Sequence, residues 1–122
     1  MYEHMDEMRW IMQLIDTQVE ALEYLDERIS TGDGDYPLYL LGDLVDAQVS
    51  VGKSLKRIFR ILPNKNIDKI ADTLEEKLID IFLYIAKGDT RSLSNSVHKS
   101  LIPLYKLWRK ELAACINPII LN

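Results

Sequence analysis

Apolar residues recur along this chain at the three- and four-residue steps of an α-helix, and no stretch alternates as a β-strand does. Over 3–30, Met8, Met12, Ile15, Val19 and Leu22 step by 4-3-4-3, and Leu25 and Ile29 carry the stripe onward. Gly32, after Ser30 and Thr31, suits the left-handed residue that closes a helix. Asp33-Gly34-Asp35-Tyr36-Pro37 then forms a connector. Asp35 is placed to cap the next helix, and Pro37 is tolerated in a first turn whose amides lack helical partners.

The second helix, 36–62, carries Leu38, Leu41, Leu44, Val45, Val51, Leu55, Ile58, Phe59 and Leu62. Gly42 and Gly52 each cost such a helix about 1 kcal/mol relative to alanine, so their presence predicts close approach of a neighbouring helix. Pro63 and Asn64 stop it. The third helix, 66–87, has the cleanest stripe, Ile67, Ala71, Leu74, Leu78, Ile81 and Ile85, widened by Ile70 and Phe82; Gly88 ends it. Asp89 or Ser92 caps a fourth helix striped by Leu93, Val97, Leu101, Leu104, Trp108 and Leu112. Pro103 has no amide for the carbonyl of Lys99, which predicts a kink or restart near the middle of this helix. Asn117-Pro118 ends it before an apolar tail, Ile119-Ile120-Leu121.

Four amphipathic helices with short connectors predict one domain spanning residues 1–122. Its fold class is all-α, an antiparallel up-down-up-down four-helix bundle with the fourth helix kinked near Pro103. Charge supports this order. The first helix carries Glu3, Asp6, Glu7, Asp16, Glu20, Glu23, Asp26 and Glu27 against Arg9 and Arg28. The fourth carries Arg91, Lys99, Lys106, Arg109 and Lys110 against Glu111. In a closed up-down bundle these two helices are antiparallel neighbours, and their fields partly neutralise. Ile29-Ser30-Thr31-Gly32-Asp33 is echoed by Ile85-Ala86-Lys87-Gly88-Asp89, compatible either with duplication of a helical hairpin or with convergence of two connectors.

At 122 residues the chain is long enough to bury a core, and its 48% apolar and 28% charged content is that of a globular domain. No membrane-length apolar run is present. Residues 1–8 lack the basic and apolar segments of a signal peptide, and the lone Cys115 has no intrachain disulfide partner, so a cytoplasmic location is expected. The net charge of −4 argues against nonspecific nucleic-acid binding.

Candidate chemistry is sparse. Gly52-Lys53-Ser54 ends like a phosphate-binding loop, but Ala47 stands where the leading glycine belongs and the tripeptide lies within a helix. A ferritin-like di-metal site needs paired Glu-x-x-His motifs; the histidines are His4 and His98, and Asn95 occupies the position three before His98. No catalytic, cofactor-binding or metal-ligating residue is assigned, and no cofactor is expected. Asp43 and Asp46 with Lys53 and Arg57 read as ordinary surface pairs, and Trp10, Met12, Tyr105 and Trp108 as core or bundle-end packing.

Arg91 and His98 resemble the Arg-x(4–6)-His motif of the HEPN family, small four-helix proteins that include ribonucleases. The residue after the arginine, usually Asn, Asp or His there, is Ser92 here. That resemblance implies an RNA-cleaving or RNA-binding alternative in which Arg91 and His98 polarise RNA for attack by its own 2′-hydroxyl. Separately, Gly34-Asp35-Tyr36 before a Leu-rich helix, and Leu101-Ile102-Pro103-Leu104 with Trp108, resemble small bacterial all-helical proteins of unknown function. In those, a Gly-Asp-Tyr turn leads into a helix ending Leu-Pro-x-Leu-x-x-Trp; here the halves are split between the second and fourth helices. A looser likeness to flagellar export chaperones rests on size and helical class. The leading expectation is a non-enzymatic protein-interaction bundle, adaptor or chaperone-like, with a protein partner or a second copy engaged through the apolar tail and the basic side of the fourth helix.

Overall fold

The computed structural model describes the backbone of residues 5–32, 36–58 and 65–120, and side chains over 5–32, 36–58 and 66–116. Its elements are α1 (Met5–Thr31), α2 (Leu38–Ile58), α3 (Lys65–Lys87), α4 (Thr90–Ser94), a π-helical turn (Asn95–Leu101) and α5 (Ile102–Ile120). The junction residues Asn95 and Ile102 keep right-handed helical dihedrals, so the last three segments form one continuous fourth helix. No strand occurs among the described residues. The packing order is a closed ring: α1 against α2 and α5, and α3 against α2 and α5. This is the all-α four-helix bundle that the stripes predict.

The predicted stripes form most of the core. Met8, Met12, Ile15, Leu22, Leu25 and Ile29 of α1 are buried, as are Ile67, Ala71, Leu74, Leu78 and Ile81 of α3. Leu38, expected inside, is instead exposed at the first residue of α2, where no preceding turn covers it. Gly32 (φ 70°) and Gly88 (φ 68°) take the left-handed conformation. At Gly88 the amides of Gly88 and Asp89 bond the carbonyls of Ile85 (3.1 Å) and Tyr84 (2.9 Å), closing α3 in a Schellman arrangement. Asp89, not Ser92, is the cap of α4: its carboxylate accepts from the Ser92 amide at 3.1 Å.

Two expectations are corrected, and a third takes a definite form. Gly42 and Gly52 do not mark close helix approach, since a Cβ at either would meet no atom within 4 Å. Pro118 does not end the last helix, whose backbone continues to Ile120; losing one amide in the final turn frees only the carbonyl of Ala114. The irregularity expected near Pro103 takes the form of the π turn just before it, where the Ile102 amide reaches back five residues to Val97. The looser turn relieves the clash of the proline ring with the carbonyl of Lys99.

That turn also resets the register of the fourth helix. Leu93, Val97, Leu101 and Tyr105, spaced 4-4-4, are all buried, and Trp108, Leu112 and Ile116 continue at the α-helical spacing. A regular α-helix would have placed Leu104 inward; it is only partly buried, and Tyr105 takes the core position. The Asp35 cap, Phe59, Leu62, the Pro63-Asn64 stop and the side chains of the apolar tail lie outside the described residues.

Candidate functional site: the groove between α1 and α2

Two features of α1 place chemistry at its junction with α2. The first is a stripe beside the core stripe, Trp10, Leu14, Thr17, Ala21 and Tyr24, again stepping by 4-3-4-3. Its members share one helix face, and the face is only partly covered: Leu14 and Ala21 are half-buried, Trp10 is 45% exposed and Tyr24 49% exposed. The second is the small size of the residues where α1 meets α2. Thr17, Ala21 and Ala47 leave a groove of about 310 Å³, walled by Leu14, Leu40 and Leu44 and lined also by Gln18 and Asp43. The two aromatic rings stand about 21 Å apart along α1, four helical turns.

Beneath this groove lies a polar node that no hydrophobic pattern could announce. Gln18 and Gln48 occupy core positions between apolar neighbours and are 2% and 1% exposed. The Tyr105 hydroxyl donates to Gln48 Oε1 at 2.7 Å and accepts from Gln18 Nε2 at 3.1 Å; Gln18 Nε2 also reaches Gln48 Oε1 at 3.3 Å. Burial pushes the Tyr105 phenol well above its ordinary pKa, so it stays a neutral donor. Gln18 Oε1 and Gln48 Nε2 have no partner among the described residues. Exchanging O and N in both amides leaves one donor and one acceptor unpaired in the same way. Trp108, edge-on to Tyr105 at 6.0 Å, donates its indole N–H to the Ile67 carbonyl at 3.1 Å and ties α5 to the start of α3.

The charges around the bundle are unequally compensated. Along the α1–α5 seam Arg109 grips Asp16 at 2.7 Å, Lys106 approaches Glu23 at 3.9 Å, and His98 Nδ1 meets Asp26 at 2.7 Å. The hydrogen bonds that Arg109 donates to Asp16 raise its pKa above the ordinary guanidinium value. Of the basic residues of the fourth helix, Lys106 and Arg109 are thus engaged with α1. Elsewhere on α1, Glu7 pairs with Arg57 of α2, Arg9 lies 3.6 Å from Asp6, and Arg28 is engaged within the chain. The carboxylates of Glu20, Glu27, Asp43 and Asp46 have no ion pair or hydrogen bond among the described residues. Asp43 lines the groove itself.

The other candidates do not converge. His98 is exposed and held by Asp26; Arg91 is exposed beside Asp89, whose carboxyl is held below its usual pKa by hydrogen bonds from Ser92, with Lys87 and Arg91 adding to the effect. The π turn between them rotates His98 off the face it would share with Arg91 in a regular helix. Neither residue lines the α1–α2 groove or the cleft of about 210 Å³ between α2 and α3. That cleft is lined by charges of both signs, Lys53 and Lys56 of α2 and Asp68, Asp72 and Glu75 of α3. Gly52-Lys53-Ser54 lies within α2, as its sequence context requires. Trp10, assigned to packing by the sequence, is half-exposed on α1; Met12, Tyr105 and Trp108 are buried. Among the described residues no cluster of three His, Cys, Asp or Glu side chains could hold a metal, and no helix is long and apolar enough to cross a membrane.

A family model described as a domain of unknown function, DUF8042, matches residues 6–111, and the chain belongs to that family. The match takes in the groove, the polar node and the π turn. No curated protein and no solved structure matches the chain significantly.

Proposed function

We propose that this DUF8042 chain is a protein-interaction module that receives a helical segment of another protein in the groove between α1 and α2. The observation that carries the reading is the half-exposed stripe Trp10, Leu14, Thr17, Ala21 and Tyr24 beside a groove of about 310 Å³. Apolar surface left open at regular helical spacing is a recognition feature for another helix, with aromatic anchors at its ends and small residues between. The His98–Asp26 bond and the position of Arg91 give no comparable support to RNA cleavage.

The test is site-specific photo-crosslinking in the cells that produce the protein. A benzophenone amino acid replaces Thr17, in the groove, or Glu76, exposed on α3. The Thr17 position is expected to yield a discrete adduct with another protein, and the Glu76 position is not. Identical adduct patterns from both positions refute the reading, and an adduct of twice the chain's own mass assigns the groove to a second copy instead.

A further inference from the structure

We infer that the cleft between α2 and α3 binds a small zwitterion, a molecule of the amino-acid class carrying one carboxylate and one ammonium group. The cleft shares no lining residue with the α1–α2 groove. Gly52 helps to open it. This glycine sits inside α2, where it weakens the helix, yet a Cβ there would meet no atom within 4 Å. The space beside it belongs to the cleft of about 210 Å³, whose opposite wall carries the small Ala71 of α3. At about 30 Å³ per water molecule, that is room for roughly seven waters or for a compact amino acid.

The two walls carry opposite charge. Lys53 and Lys56 stand on α2, and Asp68, Asp72 and Glu75, spaced 4-3, stand on α3. None of the five forms an ion pair or hydrogen bond among the described residues, so the walls do not neutralise each other by contact. A lone anion in the cleft meets the carboxylates and a lone cation meets the lysines, whereas a molecule with both charges satisfies both walls at once. Gln48 adds a polar group at the same place. It lines the cleft at 1% exposure, and its Nε2 has no partner among the described residues. Its other amide atom is taken by Tyr105 and Gln18. As an N–H group the free atom would bond the ligand's carboxylate; with the amide exchanged, the free oxygen would accept from the ammonium. The match to a zwitterion holds for either orientation.

The experiment titrates the intact, isotope-labelled protein and follows its amide signals by NMR. The probes are glycine, γ-aminobutyrate and ε-aminocaproate, which differ in the spacing of their two charges, and butanoate and butylammonium, which carry one charge each. At least one zwitterion is expected to bind at least about tenfold more tightly than either singly charged probe, with shifts concentrated along 48–56 and 68–75. Lys53→Gln/Lys56→Gln and Asp68→Asn/Asp72→Asn/Glu75→Gln should each weaken it by at least about tenfold. Lys99→Gln/Lys110→Gln, on the fourth helix and outside the cleft, should leave it unchanged. Gly52→Leu, which fills the cleft from an open position, should abolish binding while leaving the free protein at least as stable by Tm.

Butanoate or butylammonium binding as tightly as the best zwitterion makes the cleft a site for a single charge and overturns the inference. Zwitterion binding that falls by less than about threefold in Gly52→Leu, or in either set of charge changes, lies elsewhere on the protein and overturns it too. The absence of a saturable shift with all three zwitterions does the same. None of these outcomes touches the α1–α2 groove, which the crosslinking at Thr17 tests separately.

Discussion

Removing one oxygen atom from the polar node should cost this bundle a measurable part of its stability. Tyr105→Phe deletes a hydroxyl that donates to Gln48 at 2.7 Å and accepts from Gln18 at 3.1 Å while leaving the buried ring in place. Each such bond contributes about 1 kcal/mol net, and Gln18 Nε2 still reaches Gln48 Oε1 at 3.3 Å, so neither amide is fully orphaned. The expected loss is about 2 kcal/mol, or a fall in Tm of about 8 °C for a domain of this size. Urea unfolding followed by circular dichroism, with an unchanged m-value, measures it. The companion Gln18→Leu/Gln48→Leu/Tyr105→Phe removes the whole node together with its two unpaired atoms, and should be at least as stable as the wild type. A Tyr105→Phe change below about 0.5 kcal/mol, or a triple variant clearly less stable than the single, would refute this account of the node. An unchanged triple variant would make the node a device for helix register, at no gain in stability.

The same hydroxyl predicts an alkaline limb. Burial raises the folded-state pKa of Tyr105 above its ordinary 10.0. Above pH 10 the unfolded chain therefore releases a proton that the folded chain keeps, and stability falls with rising pH by up to about 1.4 kcal/mol per unit. Below pH 10 Tyr105 contributes no slope, and Tyr105→Phe should lack this component when unfolding curves are compared between pH 9 and 11. Gly42→Ala and Gly52→Ala, at open helix positions, should each stabilise by about 1 kcal/mol in the same assay. Gly88→Ala forces a side chain into φ 68° and should destabilise by about 1–2 kcal/mol. For Asp89 the folded pKa is depressed, so its stabilising contribution is present above the unfolded value of 3.8 and is lost as pH falls through the folded value. Asp89→Ala should therefore be the less stable protein at neutral pH, and the gap should close in strong acid.

The sequence by itself determined the helices, their order and the polarity of the bundle. The periodic stripes, the left-handed glycines and the opposed charges of α1 and the fourth helix are local or pairwise features. The pairs Asp16–Arg109 and Glu23–Lys106 realise that opposition. The candidate site was not read from the sequence: Trp10, Leu14, Thr17, Ala21 and Tyr24 also repeat every three or four residues, but the core stripe beside them has the same period and hides them, and Trp10 reads there as packing. Only packing shows which of two adjacent stripes is covered.

Tertiary structure decided the rest. Gln18 and Gln48 are polar and carry no signal in a hydrophobic pattern; they can be buried because Tyr105 supplies a hydrogen-bonding partner. Tyr105 reaches them because the π turn ahead of Pro103 admits one more residue per turn than an α-helix would at that point. The proline was visible in the sequence, but its consequence was not. A missing amide permits a kink, a restart or a change of helical register, and the packing of this core selects the register that buries Tyr105 and Trp108.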